Sequence, residues 1–172
     1  MSRSLKEATK DLHHAAEQHP IGASMADGSI PQEWWADWLL ALFTVHLVLD
    51  PHLASCLHRT EALFKDLEES PVVPKLTWAA VEYAQSLDDP LNRVGATYVF
   101  TGAHLMGGAI TAKAVGDRVP THHLQWEDRS EAVKEWSPLR DHSAIEPQAI
   151  AGFKAVMKIL EEIYANRGAA GS

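Results

Sequence analysis

Cysteine is almost absent: Cys56 is the only one in 172 residues. An internal disulfide framework is therefore excluded, and so is a multi-thiolate metal site within one chain. Cys56 itself reads as a small buried apolar residue. No stretch approaches the ~20 apolar residues needed to cross a bilayer, and the first residues lack the apolar core of a signal peptide. A soluble, cytoplasmic protein is expected. Positive charge is also scarce. Lys and Arg number 15 against 23 Asp and Glu, a net charge of −8. Neither nucleic acid nor an anionic membrane is expected as a main partner, because both select a basic footprint. Strand-like alternation and internal repeats are missing too.

What the chain does have is helical periodicity nearly everywhere. The length suits one domain, expected over residues 1–167, with 168–172 as a flexible tail. Ser4 predicts a cap on a first helix from about Leu5 to Gln18, closed by His19-Pro20. "PIGASMADGSIP", residues 20–31, reads as a loop. A helix carrying "EWWADWLLALFTVHLVL" follows and must end at Pro51, which cannot donate within a helix. Shorter segments are expected at Leu57–Leu67, Lys75–Leu87 and Trp126–Trp136. A long one is expected from Leu91 to Val115, and a strongly amphipathic one at Ala149–Ala165. Six or seven helices in an all-α domain result. Trp34, Trp35 and Trp38 read as core.

Histidine is abundant, with ten residues. In "LKEATKDLHHAAE", residues 5–17, two stand side by side. On a helical projection, His13 lies on the seam between the apolar stripe and a cationic stripe formed by Lys6 and Lys10. His14 points away from the core. A neutral imidazole at a core edge is the usual histidine metal ligand, and the two lysines could neutralise acidic groups of the same ligand. An equally simple reading is a partly buried histidine beside a solvated face.

Residues 98–113, "YVFTGAHLMGGAITAK", place Gly102, Gly107 and Gly108 inside a helical pattern. Each costs about 1 kcal/mol relative to alanine, so a close approach or a bend is expected there. At about 100° per residue, Gly102, Ala103, His104, Gly107, Gly108 and Thr111 fall on one broad, low-relief face centred near His104. A flat ligand or a tight helix crossing would use it equally well.

These motifs together resemble the heme oxygenase family. "LKEATKDLHHAAE" resembles its N-terminal signature, "LFTVHLVLD" (42–50) the following helix, and "YVFTGAHLMGGAI" the distal, glycine-bearing helix. "FKAVMKILEEIY" (153–164) is similar to the closing helix. The resemblance implies a helical bundle that holds heme between a proximal N-terminal helix and a glycine-kinked distal helix. It implies His13 as iron ligand, Lys6 and Lys10 facing the propionates, and Tyr98 near the heme edge. Gly107 and Gly108 then let the distal helix approach, with Ala103 beside them. The implied reaction opens the heme ring oxidatively to biliverdin, CO and Fe(II), with heme as cofactor and substrate. It uses O2 and electrons from a donor such as a ferredoxin or a flavoprotein reductase.

Two positions depart from the family's pattern. His104 stands where many members carry an aspartate that organises distal water. Three roles are open to it: holding that network, reaching the iron as a sixth ligand, or turning outward. The sixth-ligand role would suit a heme carrier or sensor without turnover. Arg140 is the candidate for the arginine that meets a propionate. His46 reads as a satisfied core histidine. His52, His58, His122, His123 and His142 read as solvated. A carboxylate-bridged di-metal oxidase on the same fold would need Glu-x-x-His pairs, which the sequence lacks, and no motif marks Cys56 as a nucleophile.

Overall fold

The computed structural model describes residues 4–168, among which there is no strand. The expected tail beyond Gly168 lies outside them. α1 (Leu5–Gln18) starts on a capping box. Ser4 Oγ accepts from Glu7 N at 3.2 Å, and the Glu7 carboxylate accepts from Ser4 N at 3.4 Å. Two of the orphan donors at the helix start are satisfied this way.

The expected loop at 20–31 is mostly helix, α2 (Pro20–Asp27). Pro20 occupies the first turn, His19 Nδ1 accepts from Ile21 N at 3.2 Å, and Gly28 ends the helix with φ +80°. Its small residues serve packing: a Cβ on Gly22 would lie 2.0 Å from Ala16 O of α1. α3 (Gln32–Leu49) follows, apolar on most sides, with Trp34 and Trp35 buried. It passes into a 3-10 turn at Asp50–His52, where Pro51 ends it.

α4 (Thr60–Glu69) has its N-terminus held by Asp50. One oxygen of that carboxylate accepts from Arg59 N at 2.6 Å, Thr60 N at 2.8 Å and Thr60 Oγ1 at 2.7 Å. α5 (Trp78–Gln85) starts on a carboxylate from far away. Glu162 accepts from Trp78 N at 2.6 Å and Ala79 N at 2.9 Å.

The expected long helix from Leu91 to Val115 is present but interrupted. It consists of α6 (Pro90–Ala96), a π-helical turn at Thr97–Thr101, α7 (Gly102–Met106) and α8 (Gly108–Val115), broken at Gly107. α9 (Arg129–Trp136) and α10 (Glu146–Arg167) complete the order. This split, with α2, makes the segments more numerous than expected.

α10 packs against α1, α3, α5 and α6. It comes close to α6 at Gly95, where a Cβ would lie 2.6 Å from Gln148 backbone. Asp37, fully buried on α3, fixes the far end. It accepts two bonds from Arg167 at 3.0 Å and one from Lys75 N at 2.7 Å. No helix among the described residues is long and apolar enough to cross a membrane.

Candidate functional site

α1 and the α7–α8 segment each expose candidate site residues. On α1, the His13 side chain is 63% exposed, with Nε2 3.1 Å from Glu17 Oε1. Its ring tilts against Phe153 of α10, 5.7 Å between centroids. Lys6, Lys10 and His14 are exposed on the same helix. Along α7, Gly107 and α8, the residues Ala103, Met106, Gly107 and Ile110 recur at the i, i+3, i+4, i+7 spacing of one side. Met106 is 42% exposed and Ile110 71%. A Cβ on Gly107 would touch only Ala103 O, at 3.4 Å, so bare backbone faces open space there.

A row of stacked side chains lies beside α7. Tyr98 stacks on Trp136, 5.6 Å between centroids. Trp136 Nε1 donates to Thr97 O at 3.1 Å. The Arg140 guanidinium lies 5.1 Å over the Trp136 ring, and its Nη2 donates to Met106 Sδ at 3.6 Å. Burial pushes the Tyr98 phenol up, partly offset by Thr9 and by the charge of Arg140. Of the expected cofactor-binding residues, Tyr98 and Arg140 thus both meet Trp136, Lys6, Lys10 and His13 stand exposed on α1, and Ala103 is exposed on α7.

The broad glycine face does not survive as one surface. Gly102 faces Trp136, where a Cβ would lie 2.5 Å from the ring, and Gly108 faces Leu124 at 3.2 Å. His104 is only 4% exposed and turns inward. The projection merged two neighbouring faces because both consist of small residues. Ala103 is exposed and Gly107 is open on its Cβ side, whereas Gly102 and Gly108 admit large side chains from behind. A sixth-ligand role would require His104 on the exposed face, where Ala103 and Gly107 stand.

Behind that helix lies a buried polar network that joins chain segments far apart in sequence. His46 Nδ1 is 2.9 Å from Asp50 Oδ1, and its Nε2 is 3.1 Å from His104 Nε2. His123 stands edge-on to His104, 5.1 Å between centroids. It was expected to be solvated, yet it is 1% exposed, with Nδ1 2.6 Å from Asp66 Oδ2. Asp66 forces this: it also accepts from the backbone N–H of His122 at 2.6 Å and of His123 at 3.0 Å, drawing the turn inward. Arg59 Nη1 closes the network on the carbonyls of His123 and Gln125, at 3.2 and 2.7 Å.

Burial holds His104 well below the ordinary imidazole range, aided by the neighbouring His123, His46 and Arg59 charges. Burial also lowers His123, against the opposing pull of Asp66. Burial alone would raise Asp50, but bonds from His46, Thr60 and Arg59 N outweigh it and bring the carboxyl below its usual value. Only the His46/Asp50 pair carried a sequence signal, the i,i+4 spacing of helix neighbours. Asp66, Arg59 and His123 reach the network through tertiary contacts and carry none.

Among the described residues, one group of three has ligand atoms close enough to surround an ion: Asp66, Glu69 and His122. Both Asp66 oxygens already accept hydrogen bonds, and His122 pairs with Glu69 at 2.5 Å. It offers no carboxylate-bridged di-metal centre. A separate open groove of about 760 Å3 runs between α3, α5 and the start of α6. Its lining is mainly apolar and gathers none of the site residues expected from the sequence.

The chain is similar in structure to two solved bacterial proteins. Against a heme oxygenase-1 from the cyanobacterium Synechocystis, in complex with heme, the TM-score is 0.79 with 18% identity, covering 94% of this chain and 91% of the other. Against a heme oxygenase from Leptospira interrogans it is 0.78 with 19% identity, covering 92% and 97%. No protein-family model matches the chain. No curated protein matches it either. At these identities the likeness establishes a shared fold, and it extends over nearly the whole chain.

Proposed function

We propose that heme binds in a cleft between α1 and the α7–α8 segment and that the protein opens the bound ring oxidatively to biliverdin, CO and Fe(II). One observation supports this reading: on a heme oxygenase fold, α1 exposes a histidine with two lysines on the same helix, and the α7–α8 segment exposes an apolar strip beside bare glycine backbone. A flat macrocycle with two carboxylates fits that donor set. Bound heme supplies both the iron that takes O2 and the ring that is consumed, with electrons from an external donor such as a ferredoxin or a flavoprotein reductase.

His13 holds the iron through one neutral imidazole nitrogen, and Glu17 must give up its contact with Nε2 for this to happen. Lys6, Lys10 and Arg140 pair with the propionates. Gly107 lets the helix backbone approach the ring, while Ala103, Met106 and Ile110 exclude water. Met106 is 42% and Ile110 71% exposed, so covering the rest of each contributes about 1 and about 1.5 kcal/mol. Tyr98 and Trp136 back the edge. His104 and Gly108 sit one layer behind, where His104 serves proton supply and not iron ligation. The same chemistry suits a soluble, cytoplasmic protein.

Adding hemin tests the reading. A Soret band, followed by its loss and bilin absorption when reductant and O2 are supplied, is the expected result. A stable bis-histidine spectrum without bilin would favour a carrier, and no heme spectrum would defeat the reading. His13→Ala should abolish the native axial ligation, and His14→Ala should leave it nearly unchanged.

A further inference from the structure

The network behind the distal wall fixes where its protons are. Asp50 is an acceptor only when ionised, so the 2.9 Å bond from His46 Nδ1 carries a proton on that nitrogen. The Nε2–Nε2 contact between His46 and His104, at 3.1 Å, also holds one proton. With His46 neutral, its Nε2 is a lone pair, and the shared proton belongs to His104 Nε2. A neutral His104 then presents a lone pair at Nδ1.

Now let one proton arrive at His104 Nδ1. The Nε2 proton crosses to His46 Nε2, His46 becomes an imidazolium against Asp50, and His104 stays neutral. The N–H bond at His104 Nε2 breaks as the bond at His46 Nε2 forms, and no further proton is needed. His104 has changed from acceptor to donor at Nδ1.

The surroundings direct the charge to His46. His104 has His123 edge-on at 5.1 Å and no carboxylate bonded to its ring, while Asp66 is engaged by His123 at 2.6 Å. The Arg59 guanidinium also disfavours charge on His104. Among the described residues, His46 alone combines a hydrogen bond to a ring nitrogen of His104 with a bonded carboxylate.

We infer that His46 and Asp50 are positioning residues that form a one-proton store for His104, switching its Nδ1 between hydrogen-bond acceptor and donor. The use of this proton in ring opening rests on the oxygenase reading. The switch itself does not, so it is tested without heme.

The experiment is long-range 1H–15N correlation of 15N-histidine-labelled protein from about pH 8.5 to about pH 5.5, a range that spans ordinary histidine titration. At the alkaline end His104 is expected as the Nε2–H tautomer and His46 as the Nδ1–H tautomer. On acidification His46 becomes doubly protonated while His104 turns into the Nδ1–H tautomer, with one shared midpoint. A doubly protonated His104, separate midpoints, or an Nδ1–H His104 at the alkaline end would each overturn the inference. In His46→Gln the tautomer change of His104 should vanish, and its persistence would equally overturn it. A normal hemin titration alongside a failed switch removes only the store. A working switch in a protein that binds no heme removes only the oxygenase reading.

Discussion

Replacing Gly107 and Gly102 by alanine, one at a time, separates the two jobs assigned to the glycines. In Gly107→Ala the new methyl would meet only Ala103 O, at 3.4 Å, an ordinary contact. The fold should tolerate it, and reduced unfolded-chain freedom should stabilise the protein by about 0.4–1 kcal/mol. In the proposed function the methyl stands where the ring would lie, however, and an overpacked contact costs about 1–3 kcal/mol. Hemin affinity should therefore fall roughly 5-fold to 100-fold, since each 1.4 kcal/mol is a factor of ten. In Gly102→Ala the methyl would lie 2.5 Å from the Trp136 ring. That side chain is buried and stacked on Tyr98, so it has little room to yield. A loss of about 1–3 kcal/mol is expected, or roughly 2–10 °C in Tm at this chain length. Thermal unfolding of the heme-free variants and hemin titration read the two effects separately. The assignment of faces is refuted if Gly107→Ala is the less stable variant, or if it binds hemin as tightly as the parent.

Stability should also depend on pH. The folded protein holds His104 and His123 below their unfolded value of about 6.5, so both favour the neutral form. Their cost is absent above that value and grows as pH falls below it. Tm should drop between pH 8 and about pH 5.5, and a flat or rising Tm would contradict the buried network. Arg167→Leu strips Asp37 of its cationic partner, leaving only the Lys75 N–H on a buried carboxylate, and should destabilise by about 3 kcal/mol, read by urea unfolding; an unchanged midpoint would show that the pair contributes nothing. Glu162→Ala leaves the start of α5 uncapped and should cost about 1–2 kcal/mol, while Glu162→Gln should recover part of the loss. Equal stability of both variants would contradict the cap.

The sequence was most informative where a local rule decides the outcome. Ser4 and Glu7 delimit α1, and Pro51 ends α3, because capping and proline chemistry act within a few residues. His13, Lys6 and Lys10 share a helix, so one phase placed them together. α2 was missed because its small residues resemble loop composition but serve contact with α1. The face of α7 was misread because the spacing of its glycines is the same whether a ring lies on them or a tryptophan packs behind. His123 was misjudged for a different reason: what buries it is Asp66, more than fifty residues away.

The cap on α5 carries a consequence for the order of assembly. Its first two amides are satisfied by a side chain 84 and 83 residues downstream. While the chain emerges from the ribosome, α5 has every residue it contains but not the group that closes its beginning. The amide protons of Trp78 and Ala79 should therefore exchange freely with solvent until α10 docks, making them local reporters of when the bundle closes.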